Sequence, residues 1–250
     1  MNREQVAKQN NEKWFQDQAF ADCTSDLEFQ AIARNFLCGE VLKESILSDK
    51  QKALVMLTAL TACQTLPSIV TYTLAALRIG VTPEEIKESL YQCAPYIGLE
   101  KVQCALVEVN RAFQQAGITE NLKEQGTVTE ENRLEKGLAV QQEIFGADNI
   151  NAMRTAAPKE LKAMQDYLSA YCFGDFYTRG TLNLKMRELI VFCAICCLGG
   201  CEPQAKAHAG ANLSVGNTRE TLIAALMQCL PLIGFPRTLN AIACVDAVIK

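Results

Sequence analysis

Two stretches of the chain, Lys50–Cys63 and Leu184–Leu198, are apolar through almost their whole length. Neither alternates with period 2, and both outrun a typical strand, so each predicts a buried helix. Pro67 and Pro203 follow at positions where a helix tolerates proline, in its first turn. They predict a second helix in each region, the later one running from about Pro203 to Ser214. Gly80 and Gly216 fall where a left-handed C-terminal cap is wanted. "TPEE" at 82–85 reads as a capping box, with Thr82 as N-cap, Pro83 first in the helix and Glu85 reaching back. Pro95 and Pro231 are expected to end the helices that follow, and a last helix, over about 100–114 and 235–249, closes each region. The stretch 114–133, "QQAGITENLKEQGTVTEENR", is polar and without apolar periodicity, as a linker would be. No alternation is long enough for a sheet. The class is all-α.

The pattern is written twice. "LRIGVTPEEIKESLYQCAPYIGLEKVQCAL" (77–106) pairs with "LSVGNTRETLIAALMQCLPLIGFPRTLNAI" (213–242), matching Gly80 to Gly216, Cys93 to Cys229, Pro95 to Pro231 and Gly98 to Gly234. Each pair is 136 positions apart, as 80 is from 216. Upstream, "LSDKQKALVML" (47–57) matches "LNLKMRELIVF" (182–192) at 135, so one residue is gained in the turn between. "FLCGEV" (36–41) resembles "YCFGDF" (171–176) at the same spacing. A duplication is the reading. It predicts a repeat over 1–115, a linker over 116–133 and a repeat over 134–250.

Composition narrows the class without naming a function. The 250 residues are 49% hydrophobic and 21% charged, which suits a globular core and excludes a disordered chain. The net charge of −4 comes from interspersed signs with no basic patch, which disfavours phosphate-driven nucleic-acid binding. Twelve cysteines are many, yet most (Cys93, Cys104, Cys193, Cys196, Cys197, Cys229, Cys244) lie in apolar helical runs. There a free cysteine acts as a small buried hydrophobe. The polar start, "MNREQVAKQNNEKW", lacks the apolar region of a signal peptide. No uninterrupted apolar run reaches the roughly 18 residues that suggest a membrane span. The expectation is a soluble protein of the reducing cytoplasm, away from membranes.

Candidate chemistry gathers around the single histidine, His208. On a helix from Pro203, Cys201, Gln204 or Ala205 and His208 share a face. Cys201 would sit at the helix N-terminus, where free amides favour a thiolate. Glu188 stands near the start of the preceding helix, so carboxylate, thiol and imidazole could border one apolar cavity. An ideal hairpin puts Glu188 about 16 Å from the turn and His208 about 8 Å, so contact needs a crossing angle or a bridging water. The plain alternative is an ordinary helical histidine, an acidic residue favoured at a helix start, and a filler cysteine. The first repeat weighs against it: Ala53, Leu66 and Tyr72 stand where the second has Glu188, Cys201 and His208. The fold-bearing positions persist in both copies and the polar ones in a single copy, which marks the second as the active one. "CAIC" (193–196) falls mid-helix without free amides, and Cys193, Cys196, Cys197 and Cys201 lack the loop geometry of a zinc site. Gly199-Gly200 reads as a turn between helices, and no phosphate-binding loop is present.

The segment "RGTLNLKMRELIVFCAICCLGG", continuing through "KAHAGANLSVGNTRETLIAALMQCLPLIGFPRTLNAI", resembles the carboxymuconolactone decarboxylase family, which includes the alkyl hydroperoxidase D-like proteins. The shared features are L-x-x-K/R-x-R-E-L and the late P-x-x-G-x-P-x-x-x-N-A; "LSDKQKALV" and "GVTPEEIKESLYQCAPYIG" match more weakly. The resemblance implies two tandem helical repeats, each a bundle built around a helical hairpin. It also implies trimers or hexamers, here most simply a trimer of doubled chains. His208 would be general acid/base, Glu188 its orienting or relay carboxylate and Cys201 a pocket residue. The substrate would be a small carboxylated lactone or related ring acid. The conjugated lactone could hold the charge left by decarboxylation, so no cofactor is implied. Peroxidase members carry E…C-x-x-C-x-x-x-H; here Cys201 takes the first cysteine position and Gln204 the second. A thiol-dependent hydroperoxide reductase using Cys201, resolved by Cys197, is the runner-up. A non-catalytic oligomeric scaffold is the third reading.

Overall fold

A computed structural model describes residues 1–21, 25–119 and 121–248; Cys23, Glu120 and the expected end of the last helix at Ile249 lie outside the described residues. The chain runs α1 (Arg3–Phe15), α2 (Leu27–Phe36), α3 (Asp49–Cys63), α4 (Leu66–Arg78), α5 (Pro83–Ile97) and α6 (Leu99–Gln115). There follow α7 (Arg133–Phe145), α8 (Ala147–Ala156), α9 (Lys162–Tyr167), α10 (Leu184–Leu198), α11 (Glu202–Ser214) and α12 (Arg219–Val248). No strand occurs among the described residues.

The two apolar runs are α3 and α10, and both are buried on every side from Lys52 to Ala62 and from Met186 to Cys197. Such a helix cannot lie on a surface. The two pack on each other, α3 also against α12 and α10 against α5, so the repeats share one core. Their starts are fixed locally. Ser48 and Gln51 form a capping box on α3, and the Asn183 side chain accepts from the Met186 amide on α10. The expected box at Thr82 and Glu85 opens α5.

Pro95 and Pro231 do not end their helices, contrary to expectation. Pro95 lies within α5 and Pro231 within α12; the break in each case comes three residues later, at Gly98 (φ +100°, ψ 147°) and Gly234 (φ +76°, ψ 168°). A proline removes one amide donor and keeps a helical φ, which a last turn can absorb. A positive φ with extended ψ is open almost to glycine alone. Gly234 thus divides α12 into two arms that correspond to α5 and α6. Among the described residues α12 is the helix long and apolar enough to cross a membrane, but its arms pack on α3, α10 and α11.

A further correspondence escapes the sequence pattern. α2 and α9 each run on into π-helical turns, Leu37–Val41 and Leu168–Tyr177. There Gly39 and Gly174 let another helix approach: a Cβ on Gly39 would come within 2.7 Å of the Arg3 carbonyl, and one on Gly174 would strike that of Arg133. α1 and α7 are therefore counterparts, each lying on the π-turn of its own repeat.

The segment between α6 and α7 is fastened to the turn before α10. Gly180 N donates to the Gln125 carbonyl (3.0 Å), Thr181 to the Gln125 side chain (2.7 Å) and Thr127 to the Thr178 carbonyl (2.8 Å). Beneath it lies an ion cluster that ties the repeats together. Arg187 of α10, fully buried, donates to Glu88 (3.2 Å) and Gln92 (2.7 Å) of α5, while Arg179 makes a forked pair with Glu88. Lys52, the counterpart of Arg187, donates instead to the carbonyls of Leu42 and Glu44.

Candidate active site

α10 and α11 form an antiparallel hairpin through Gly199 and Gly200, and its register brings Glu188 and His208 into direct contact. His208 Nδ1 lies 2.8 Å from Glu188 Oε2. Asn212 sets that register: its amide donates to the carbonyls of Glu188 (3.0 Å) and His208 (2.8 Å), clamping the two backbones at the level of the pair. No bridging water is needed to close the gap that an ideal hairpin leaves.

Glu188 is fully buried and holds two hydrogen bonds, the second from the Tyr177 hydroxyl at 2.6 Å. Tyr177 in turn lies 3.1 Å from the Tyr96 hydroxyl, to which the Cys172 thiol donates at 3.3 Å. Burial pushes both phenols well above their ordinary range, and the neighbouring Glu188 carboxylate adds to the effect. They stay neutral, so Tyr177 remains a donor. Oε1 of Glu188 accepts from the Tyr177 hydroxyl, and with Oε2 likewise accepting, Nδ1 is the donating nitrogen of His208. That leaves Nε2 for a bound molecule. The ring is held edge-on by Tyr96 (5.2 Å) and Phe145 (5.4 Å) and is 8% exposed, enough to present one edge.

Tyr96 belongs to the first repeat, so the site is completed across the pseudo-symmetric pair. Tyr96, Tyr177, Asn212 and Phe145 all escape the motif reading. A signal was present for three of them: Leu232, Leu42 and Ala76 stand at the matching places of the other repeat, the same loss of polar chemistry that marks Glu188 and His208.

Cys201 is not part of this constellation. It is the N-cap residue of α11, half-buried, two turns from His208 or about 10 Å along the axis. It borders a small separate cavity of about 30 Å³ with Cys196, Cys244 and Arg237. The suggested resolving partner, Cys197, points elsewhere, toward Cys63 and Cys229. Adjacent residues on a helix face different sides, and here Cys196 takes the side of Cys201. The first-repeat counterpart of Cys201 is Thr65, not Leu66, because both precede the first helical residue, Leu66 in α4 and Glu202 in α11.

The sequence profile of the carboxymuconolactone decarboxylase family matches twice, over residues 28–112 and 162–247. The chain is similar to 4-carboxymuconolactone decarboxylase of Acinetobacter baylyi (strain ATCC 33305 / BD413 / ADP1), 24% identical over 123 residues, 49% of this chain and 91% of that one. It also resembles the crystal structure of a Burkholderia xenovorans LB400 protein assigned as a gamma-carboxymuconolactone decarboxylase subunit, at 18% identity with a TM-score of 0.54. That match covers 99% of this chain and 98% of that one, and it shows the shared fold.

Proposed function

Because this chain belongs to the carboxymuconolactone decarboxylase family, matched in both repeats, we propose that it is a carboxy-lyase acting on a small carboxylated lactone or related ring acid. The observation that carries this reading is the 2.8 Å pair of Glu188 and His208, present in one repeat and completed by the other. In the reaction the bond from ring carbon to carboxylate breaks, carbon dioxide leaves, and the electron pair moves into the conjugated lactone. A proton must then reach the carbon. His208 delivers it from Nε2 and regains one from water; imidazole changes charge in the range where such a transfer runs both ways. Glu188 keeps the ring oriented through Nδ1 and offsets the charge of the imidazolium. Tyr177 keeps Glu188 oriented. Cys201, outside the pair, has no step here, and its distance from His208 supports the lyase over a thiol peroxidase.

The test is a paired assay of lactone decarboxylation and peroxide consumption on the parent and on His208→Gln. Glutamine keeps the polarity on α11 and loses the proton transfer, so decarboxylation should fall about 10²- to 10⁴-fold with helix content unchanged. A folded variant that turns over lactone at the parent rate would remove His208 from the mechanism, and peroxide turnover without decarboxylation would replace the reading.

A further inference from the structure

The first repeat keeps the frame of the site without its chemistry. Tyr72 stands where His208 stands, and Phe15 meets it edge-on at 5.3 Å, as Phe145 meets His208 at 5.4 Å. Ala53, Leu42 and Leu232 replace Glu188, Tyr177 and Tyr96. Beside Tyr72 lies a cavity of about 320 Å³, walled by Phe15, Phe20, Leu60 and Leu232, with the hydroxyl residues Ser68 and Thr71 on its α4 side. Among the described residues, no Lys, Arg, His, Asp or Glu lines it. Burial holds the Tyr72 phenol above its ordinary range, so it too stays neutral.

One wall is a folded-back turn with its own fastenings. Gln16, Asp17 and Phe20 take left-handed backbone, which turns Phe20 toward the cavity. The buried Asn11 side chain donates to Asp17 (3.2 Å) and accepts from the Ala19 amide (3.3 Å), and Gln30 donates to the Phe20 carbonyl (2.9 Å). Left-handed backbone at three non-glycine residues is unfavourable, and the side-chain bonds hold it in place.

We propose that this cavity is a second, non-catalytic binding site for an uncharged, ring-sized apolar molecule bearing a hydroxyl or carbonyl oxygen. The volume is of small-molecule scale, about 300 Å³ or more. Apolar and aromatic walls hold the ring, and the hydroxyls of Ser68, Thr71 and Tyr72 meet its oxygen. An anion would be desolvated there without a countercharge, so the site discriminates against the carboxylated ring acids proposed for His208. The analogy with a bound substrate rests on that reading; the cavity, its walls and its neutrality stand without it.

Ligand-observed NMR on the full chain, with cyclohexanol and cyclohexanecarboxylate as probes, tests the proposal. Cyclohexanol should bind saturably, one per chain. Cyclohexanecarboxylate, read by its displacement of cyclohexanol so that binding at His208 does not count, should compete at least about tenfold more weakly. Ser68→Trp should abolish cyclohexanol binding by filling the cavity. Ser68→Leu, a milder filling that guards against misfolding, should weaken it. Tyr72→Phe should cost about threefold to tenfold, the net worth of one hydrogen bond. His208→Gln should leave cyclohexanol binding unchanged, which separates the two sites and lets lactone turnover fail without touching this result. Binding that does not saturate, displacement of cyclohexanol by the anion as readily as by cyclohexanol itself, or folded Ser68 variants that bind like the parent would each overturn the proposal.

Discussion

Glu188 spends both carboxylate oxygens on named donors, so its neighbours are positioning residues with separable effects. Tyr177→Phe leaves one oxygen of a fully buried carboxylate without its 2.6 Å partner. The expected destabilisation is about 1–3 kcal/mol, read as a lower Tm. Its effect on turnover should fall on kcat with KM unchanged, because the phenol acts through Glu188 and His208. Equal kcat in a folded variant would show that Glu188 needs no such support. The thiols carry a second consequence. Burial pushes Cys38, Cys93 and Cys172 up to about 12, whereas an unfolded cysteine ionises near about 8.5. The native state therefore holds protons that the unfolded state releases. Stability is full below that value and falls by about 1.4 kcal/mol per pH unit for each such thiol above it. Urea midpoints measured from neutral to alkaline pH should drop steadily past about 8.5; a flat profile would mean that these thiols are not shielded as the structure has them.

Among the elements, the helix breaks and the helix contacts depend on glycine for different reasons, and substitution separates them. Gly98 has φ +100° with nothing within 4 Å of an added Cβ, so Gly98→Ala tests backbone strain alone and should cost about 1–3 kcal/mol. Gly174 lies against the backbone of α7, where a Cβ would collide with the Arg133 carbonyl. Gly174→Ala must displace a helix and with it Phe145, one of the two rings holding His208. Its Tm should fall further than that of Gly98→Ala, and its activity should fall as well. The opposite order in Tm would mean that α7 yields easily.

For the whole molecule, the exposed apolar residues recur at matching places. Phe29 and Ile32 of α2 correspond to Met164 and Tyr167 of α9, and all four are exposed. A face kept apolar in both copies of a duplicated unit is what head-to-tail packing between chains needs, the face of one repeat meeting the other repeat of the next chain. We therefore expect a homo-oligomer, most simply a trimer of doubled chains. Light scattering that gives a monomer over a wide concentration range would refute it, and Tyr167→Glu should weaken the assembly if this face is the contact.

The sequence by itself determined the helical class, the duplication, the start of α5 at Thr82 and the extents of α10 and α11, and it singled out Glu188 and His208 as candidates. These rest on local chemistry, caps and apolar periodicity, or on comparing one repeat with the other, and both are written in the order of residues. Where a helix breaks was legible only in part, because proline advertises a stop that the last turn of α5 can absorb while Gly98 makes it. The tertiary structure alone decided that Glu188 touches His208, since 1.5 Å or so per residue along two helices does not say how they cross. It also decided that Cys201 lies outside the pair, and that Tyr96 reaches it from 112 positions upstream of His208, as 96 is from 208. A side chain's neighbours across a shared core follow from how whole helices pack, and packing is a property of all of them at once.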